Sequence, residues 1–266
     1  MQNKSIRLLA LVALLGCGTA VADVLDKVKV RGELVVGTRA DYRPFGYLDA
    51  TGNLVGIEPE LARDVAKRLG VAVKFEPVIS SNRMQFLQQG RIDLMIATMT
   101  DTEERRKAVR IVEPNYYSSG TNILAPKSAR FKQWTDLKGR PVCGVQGAFY
   151  NRKTQEEFGA NVIAFTGTAE VLTALKQGRC VAFVYDDAFI GARLQEPEWA
   201  DYEQPLPTID DKPWGLAVAP GEERFAALLA HTIKDWHKSG KIIQLEKKFG
   251  VAPTAYTLRQ NKEFSK

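Results

Sequence analysis

The 266-residue sequence holds only 3 cysteines and 2 histidines, and none stand at metal-ligand spacing, so the sequence gives no sign of a metal centre. His231 and His237 read as helix-surface residues. No run of lysine and arginine occurs, and the 37 basic side chains are interleaved with 31 acidic ones. This argues against a nucleic-acid partner. A phosphate loop and a nucleophile elbow are also missing. No low-complexity linker and no solenoid repeat divides the chain. The apolar run over residues 8–15 is far shorter than the roughly 20 residues a membrane-spanning helix needs.

The N-terminus instead has the layout of an export signal. Lys4 and Arg7 precede the apolar run, and Ala20-Val21-Ala22 supplies a small-residue cleavage site before Asp23. Residues 1–22 are therefore expected to be a signal peptide, with the folded part periplasmic. Leu14-Leu15-Gly16-Cys17 also resembles a lipoprotein processing box, which would leave the mature protein anchored through Cys17. Cleavage after Ala22 removes Lys4 and Arg7 and no acid, so the net charge drops from +6 by two, to +4. Cys143 and Cys180 then remain, each in a strand-like apolar stretch. Two readings of the pair stand: a disulfide, which an exported compartment permits, or two buried thiols on neighbouring strands.

Hydrophobic residues make up 45% of the chain, enough for one large core or two smaller ones. Residues 34–38, 71–76 and 92–97 read as strands. Between the first two, Ile57, Leu61, Val65 and Leu69 recur at helical spacing with Gly70 as a stop. Residues 83–89 supply a second helix, capped by Ser81 or Asn82. The grammar restarts after Pro126, with strands at 142–145, 162–165 and 180–185 and helices at 150–158 and 169–177. A further strand at 214–219 and amphipathic stretches at 222–238 and 241–249 follow. Alternation of this kind predicts α/β units with parallel strands, and a binding cleft where strand ends meet helix N-termini.

The segment from Asp93 to Arg105 carries the most chemistry. A strand ends near Thr98, and Thr100 with Glu103 makes a capping-box pattern that opens a helix bearing Arg105. Free N–H groups, hydroxyls and a guanidinium converging at one strand end suit a carboxylate.

This segment resembles the signature of bacterial extracellular solute-binding protein family 3, the polar amino-acid receptors of ABC transporters. So do Gly37 to Phe45, Gly56-Ile57-Glu58, Asn82-Arg83, Leu137 to Arg140 and the stretch from Gly178 to Asp186. The resemblance implies a two-lobed type II periplasmic binding protein fold, with two parallel or mixed sheets joined by a two-strand hinge. Lobe 1 would comprise residues 23–120 and 214–255, lobe 2 residues 121–213, and residues 256–266 a C-terminal tail. A monomer that binds a small amino acid and delivers it to a membrane permease is the implied arrangement.

Carried over residue by residue, the resemblance places Arg105 and Thr100 on the ligand α-carboxylate, with Thr98 and Asp186 on its ammonium. Asp187 would be structural, capping the helix that begins there. Tyr42 would cover the ligand's apolar stem, and Gln146-Gly147 would supply backbone N–H groups from the second lobe. Glu113 to Gly120 departs from the usual motif by one residue. Arg39, Arg83 and Ser80 would face the ligand side chain. Two guanidiniums there attract an anion and repel a cation, so glutamate or aspartate is the expected ligand. The alternatives are that these arginines are solvated or paired with Asp41 or Glu60 and a neutral amino acid such as glutamine binds, or that a dehydratase of the same architecture uses the cleft. The sequence offers no obvious general acid–base pair for such an enzyme.

Overall fold

The computed structural model describes residues 23–266, so the expected signal peptide and Cys17 lie outside the described residues. The first lobe opens with α1 (Val24–Arg31), β1 (Glu33–Thr38), the small strands β2 (Asp41–Tyr42), β3 (Gly46–Leu48) and β4 (Leu54–Val55), and α2 (Ile57–Leu69). It continues with β5 (Ala72–Pro77), α3 (Arg83–Gln88), β6 (Leu94–Met95), α4 (Glu103–Ala108) and β7 (Arg110–Ile111). The long strand β8 (Tyr117–Pro126) then leads into the second lobe. There β9 (Pro141–Val145), α5 (Tyr150–Glu156), β10 (Asn161–Phe165), α6 (Thr168–Lys176), β11 (Ala182–Asp186) and α7 (Asp187–Arg193) follow. The chain returns through β12 (Tyr202–Glu203), β13 (Ile209–Trp214) and β14 (Ala217–Val218) to α8 (Glu223–Ser239), α9 (Lys241–Lys248) and α10 (Ala255–Phe264).

Each lobe is built on its own mixed sheet. The first has the order β5-β1-β6-β14-β7, in which β1 is parallel to β5 and β6 while β14 runs antiparallel. The second has the order β10-β9-β11-β8-β12, with β13 also paired to β8. The lobes are joined by β8 and β13, which run antiparallel and pair Tyr117 with Trp214. This crossover straddles the boundaries expected at 120/121 and 213/214.

Local chemistry explains the elements. In α2, Ile57, Leu61 and Val65 form a fully buried stripe, and Gly70 ends the helix at φ 71°, with its N–H donating to Ala66 and Lys67 carbonyls. An aromatic cluster fills the hinge: Phe45 lies 4.9 Å from Tyr117 and 5.0 Å from Trp214, each edge-on. Cys143, on β9, and Cys180, just before β11, are disulfide-bonded with a Cα separation of 5.5 Å.

Two expectations are corrected here. Residues 256–266 are no loose tail: α10 lies against α8, where Asn261 donates to the His237 carbonyl at 2.7 Å. His237 is therefore buried, its ring stacked on Phe264 and its Nε2 2.8 Å from the Asn115 carbonyl oxygen. Only His231 stays on the surface. No helix among the described residues is long and apolar enough to cross a membrane.

Candidate functional site

The C-terminal ends of β1, β6 and β11 point into the cleft between the lobes, so the residues just beyond them meet there. The cleft is closed down to a cavity of about 10 Å³, lined by Ser80, Arg83, Thr98, Thr100, Arg105 and, from the second lobe, residues 148–150, Tyr185 and Asp186. That is room for about one water, so anything larger enters only when the lobes part.

Arg105 is held at the first turn of α4. The helix N-cap is Thr102, whose Oγ1 accepts from the Arg105 N–H at 3.2 Å. The expected capping residue, Thr100, is instead bridged to Trp214. The Arg105 guanidinium donates to the carbonyls of Thr100, at 2.9 Å, and Gly147, at 3.1 Å. Gly147 sits at φ 78°, and a Cβ there would lie 2.9 Å from the Ser80 carbonyl, so the close approach of the lobes requires glycine.

Arg83, the first residue of α3, is 3% exposed. It donates to the Ala97 and Thr98 carbonyls, and its Nε has no partner. Burial, with Arg105 and Arg39 nearby, brings its pKa down to about 9. Burial likewise lowers that of Arg105. The hydrogen bonds of both guanidiniums end on carbonyl oxygens, and neither forms an ion pair among the described residues. The anion of the cleft is Asp186, the last residue of β11 and 5% exposed. Its carboxylate accepts from the Tyr42 hydroxyl at 2.7 Å. Burial raises its pKa to about 7, against the lowering effect of that hydrogen bond and of Arg83 and Arg39.

Four sequence expectations are not met. Arg39 does not line the cavity: it is fully buried and makes two bonds to Asp41, at 2.8 and 2.9 Å, and others to Ser80 Oγ and Tyr185 Oη. A carboxylate two residues away, brought round by the bend at Ala40, captures it before any ligand does. Tyr42 also stands behind the cleft, ring against Tyr185 and Phe189 with its hydroxyl on Asp186. Gln146 is exposed, and its N–H is spent on the Phe165 carbonyl at 2.8 Å; Gly147 contributes a carbonyl rather than an N–H. Asp187 starts α7 without capping it; its Oδ1 accepts from Ser119 Oγ and the Gly120 N–H and so ties α7 to the hinge strand.

The sequence reading missed Phe149, Tyr150 and Tyr185 as cleft walls. Tyr185 lay in a strand-like apolar run and Tyr150 at a helix start, positions that a core residue occupies equally well. Thr98 has φ 46°, a left-handed backbone that costs a non-glycine residue about 1–2 kcal/mol. Its N–H donates to Glu58 Oε1 at 2.6 Å.

A second cavity, of about 840 Å³, shares no lining residue with the cleft. It lies between the lobes against the hinge strand, lined among others by Tyr117, Ser119, Ala188, Gly191, Phe249 and Tyr256.

The fold has counterparts among known proteins. Residues 34–252 match the bacterial extracellular solute-binding proteins, family 3. The ABC transporter glutamine-binding protein GlnH of Bacillus subtilis is 31% identical over 260 residues, 92% of this chain and 94% of that protein. The L-glutamate/L-aspartate-binding protein of Pseudomonas aeruginosa is 29% identical over 265 residues, 92% of this chain and 86% of that protein. Among solved structures, the ancestral amino acid-binding protein AncCDT-1, a precursor of cyclohexadienyl dehydratase, superposes with a TM-score of 0.76 at 29% identity. That match covers 86% of this chain and 99% of the ancestral one. The chain belongs to the bacterial extracellular solute-binding proteins of family 3, the amino-acid-binding components of ABC transporters.

Proposed function

We propose that the protein binds glutamate or aspartate between its lobes and hands it to a membrane permease. The observation that carries this reading is the charge balance of the cleft. Two buried guanidiniums, Arg83 and Arg105, have only carbonyl partners, and they face a single buried carboxylate, Asp186. An uncompensated buried charge is costly, so the best ligand brings two anionic groups and one cationic group. An acidic amino acid does so: its α-carboxylate goes to Arg105, its ammonium to Asp186 and its side-chain carboxylate to Arg83. Three charge-assisted contacts of about 1.5–3 kcal/mol each, less the cost of ordering the ligand, give roughly micromolar binding or tighter.

Glutamine is the second reading. The Arg39–Asp41 pair removes one of the two cations expected on the side-chain wall, and an amide oxygen is an adequate partner for Arg83, both of whose hydrogen bonds come from Nη1. A dehydratase-like activity would have to use Asp186 as its acid, since it is the cleft carboxyl with a raised pKa. Export from the cytoplasm, with removal of residues 1–22, is supported by the Cys143–Cys180 disulfide, a bond that persists in oxidising compartments. The protein is proposed to act as a monomer.

Titration calorimetry of ligand-stripped residues 23–266 with glutamate, aspartate, glutamine, arginine and alanine tests the reading. Tightest one-to-one binding of glutamate or aspartate is expected. Preference for arginine would overturn the acidic-ligand reading. Conversion of cyclic carboxylic acids, followed by mass spectrometry, would replace it with catalysis.

A further inference from the structure

Glu58 is a carboxylate in an unusual place. It is the second residue of α2, fully buried, and its neighbours are the peptides and cations behind the cleft rather than solvent. Oε1 accepts from the Thr98 N–H, at 2.6 Å, and from the Tyr116 hydroxyl, while Oε2 has no partner. The backbone around it is fixed from both ends: the Glu58 N–H donates to the Phe45 carbonyl at 2.9 Å, and Tyr116 is tied through its own N–H to the Trp214 carbonyl at 3.1 Å. Glu58 does not line the cleft.

The peptide it grips is the one on which Arg83 depends. Thr98 is held at φ 46°, a conformation that a threonine leaves unless something anchors it. On one side of this turn Glu58 takes the Thr98 N–H; on the other, Arg83 donates to the Ala97 and Thr98 carbonyls. Among the described residues those two carbonyls are the whole hydrogen-bonding support of the Arg83 guanidinium. Rotating the Thr98 peptide would swing them away and release Arg83 from the cleft wall.

We propose that Glu58 is a positioning residue for ligand discrimination: by anchoring the Thr98 peptide in its left-handed turn it sets where Arg83 stands, and so how well the cleft distinguishes a charged from a neutral ligand side chain. This rests on the acidic-ligand reading for its choice of ligands, but the anchoring itself does not. Arg105 hangs on Thr100 and Gly147, a separate support, so the grip on the α-carboxylate is left intact when Glu58 is changed.

The experiment compares Glu58→Met, which removes the acceptor at similar volume, with Glu58→Gln, which keeps an acceptor oxygen. Glutamate and alanine are titrated, and exchange of the Thr98 amide is followed by NMR. Glu58→Met should weaken glutamate binding about tenfold and alanine binding less than about threefold, while Thr98 amide exchange accelerates about tenfold. Glu58→Gln should stay within about threefold of the parent for both ligands. Equal weakening of glutamate and alanine, or an unchanged Thr98 amide, would overturn the proposal. If Glu58→Met does not fold, Glu58→Asp withdraws the acceptor by one methylene and must show the same selective loss. A parent protein that favours a non-acidic ligand defeats the acidic-ligand reading alone, since the Thr98 amide still decides whether Glu58 anchors that turn.

Discussion

The Tyr42 hydroxyl, from the first lobe, donates to Asp186 Oδ2, at the end of a second-lobe strand, across 2.7 Å. This bond crosses the lobe boundary and holds a carboxyl whose pKa burial has raised to about 7. An unfolded aspartate titrates near its ordinary value of 3.8. Asp186 therefore favours the folded state at low pH, and this contribution is lost as pH rises toward about 7. Ligand binding has the opposite sign, because an ammonium needs the ionised carboxylate. Affinity should fall by up to about tenfold per pH unit below pH 7. Titration calorimetry between pH 5 and pH 8 in buffers of different ionisation heat would show proton release on binding. Asp186→Asn should abolish both the pH slope and tight binding while raising the melting temperature of the unliganded protein above pH 7. A pH-independent affinity would mean that the ammonium sits elsewhere.

The two cleft cations carry separable tasks. Arg105→Ala removes the carboxylate partner that every amino acid shares, and should weaken all ligands by about 2–5 kcal/mol. Arg83→Gln should weaken glutamate by at least about 1.5 kcal/mol, with alanine nearly unchanged. Calorimetry on the two variants checks both statements, and equal losses for glutamate and alanine in Arg83→Gln would remove Arg83 from the side-chain wall.

Arg39 behaves differently. Its partner Asp41 also accepts from the Thr168 N–H and hydroxyl, at 3.1 and 3.0 Å, so the pair links the lobes beside the cleft. Asp41→Ala leaves the fully buried Arg39 without its ion-pair partner and should destabilise the fold by about 3–5 kcal/mol. Ligand preference should not change. Chemical denaturation measures the first effect and the glutamate-to-glutamine affinity ratio the second.

These outcomes show where sequence reading reaches and where it stops. The α/β alternation, the 57–69 helix and the Cys143 and Cys180 positions were legible because each rests on local periodicity or on two residues alone. Thr98 and Arg105 stood out in the sequence because they lie at a strand end and a helix start, whereas Asp186 came only from the family resemblance. The cap was placed at Thr100 rather than Thr102 because the bridge to Trp214 that takes Thr100 out of the helix is a contact made by the returning chain. Burial of His237 was invisible for the same reason: α10, which covers it, follows in sequence and shows no strong pattern until α8 is there to receive it. Arg39 had a nearby acid in the sequence, but only the folded turn decides that Asp41 and not a ligand takes its guanidinium.

The Cys143–Cys180 bond closes a separation of 37 residues within the second lobe. On the chain-entropy account a loop of that length contributes about 4 kcal/mol by restricting the unfolded chain. Replacing both cysteines by serine should lower stability by about that amount in urea denaturation and leave ligand affinity unchanged, because neither cysteine lines the cleft. Loss of affinity would show that the second lobe needs the bond to hold Asp186.

The cavity beside the hinge predicts a change in kinetics. It is lined by residues of both lobes, Phe249 and Tyr256 from the first, Ala188 and Gly191 from the second. The expectation is that parting the lobes at the cleft turns them about β8 and β13 and brings the walls of this second cavity together. Filling that space opposes opening. Gly191 is suited to the test: a Cβ built there meets nothing within 4 Å, and its φ is not positive. Gly191→Trp should slow ligand dissociation and association together, by amounts that leave the affinity raised, because the closed form gains contacts the open form cannot keep. Stopped-flow fluorescence measures both rates. A faster dissociation would mean that the bulky side chain instead props the lobes apart, and that the cavity belongs to the open form.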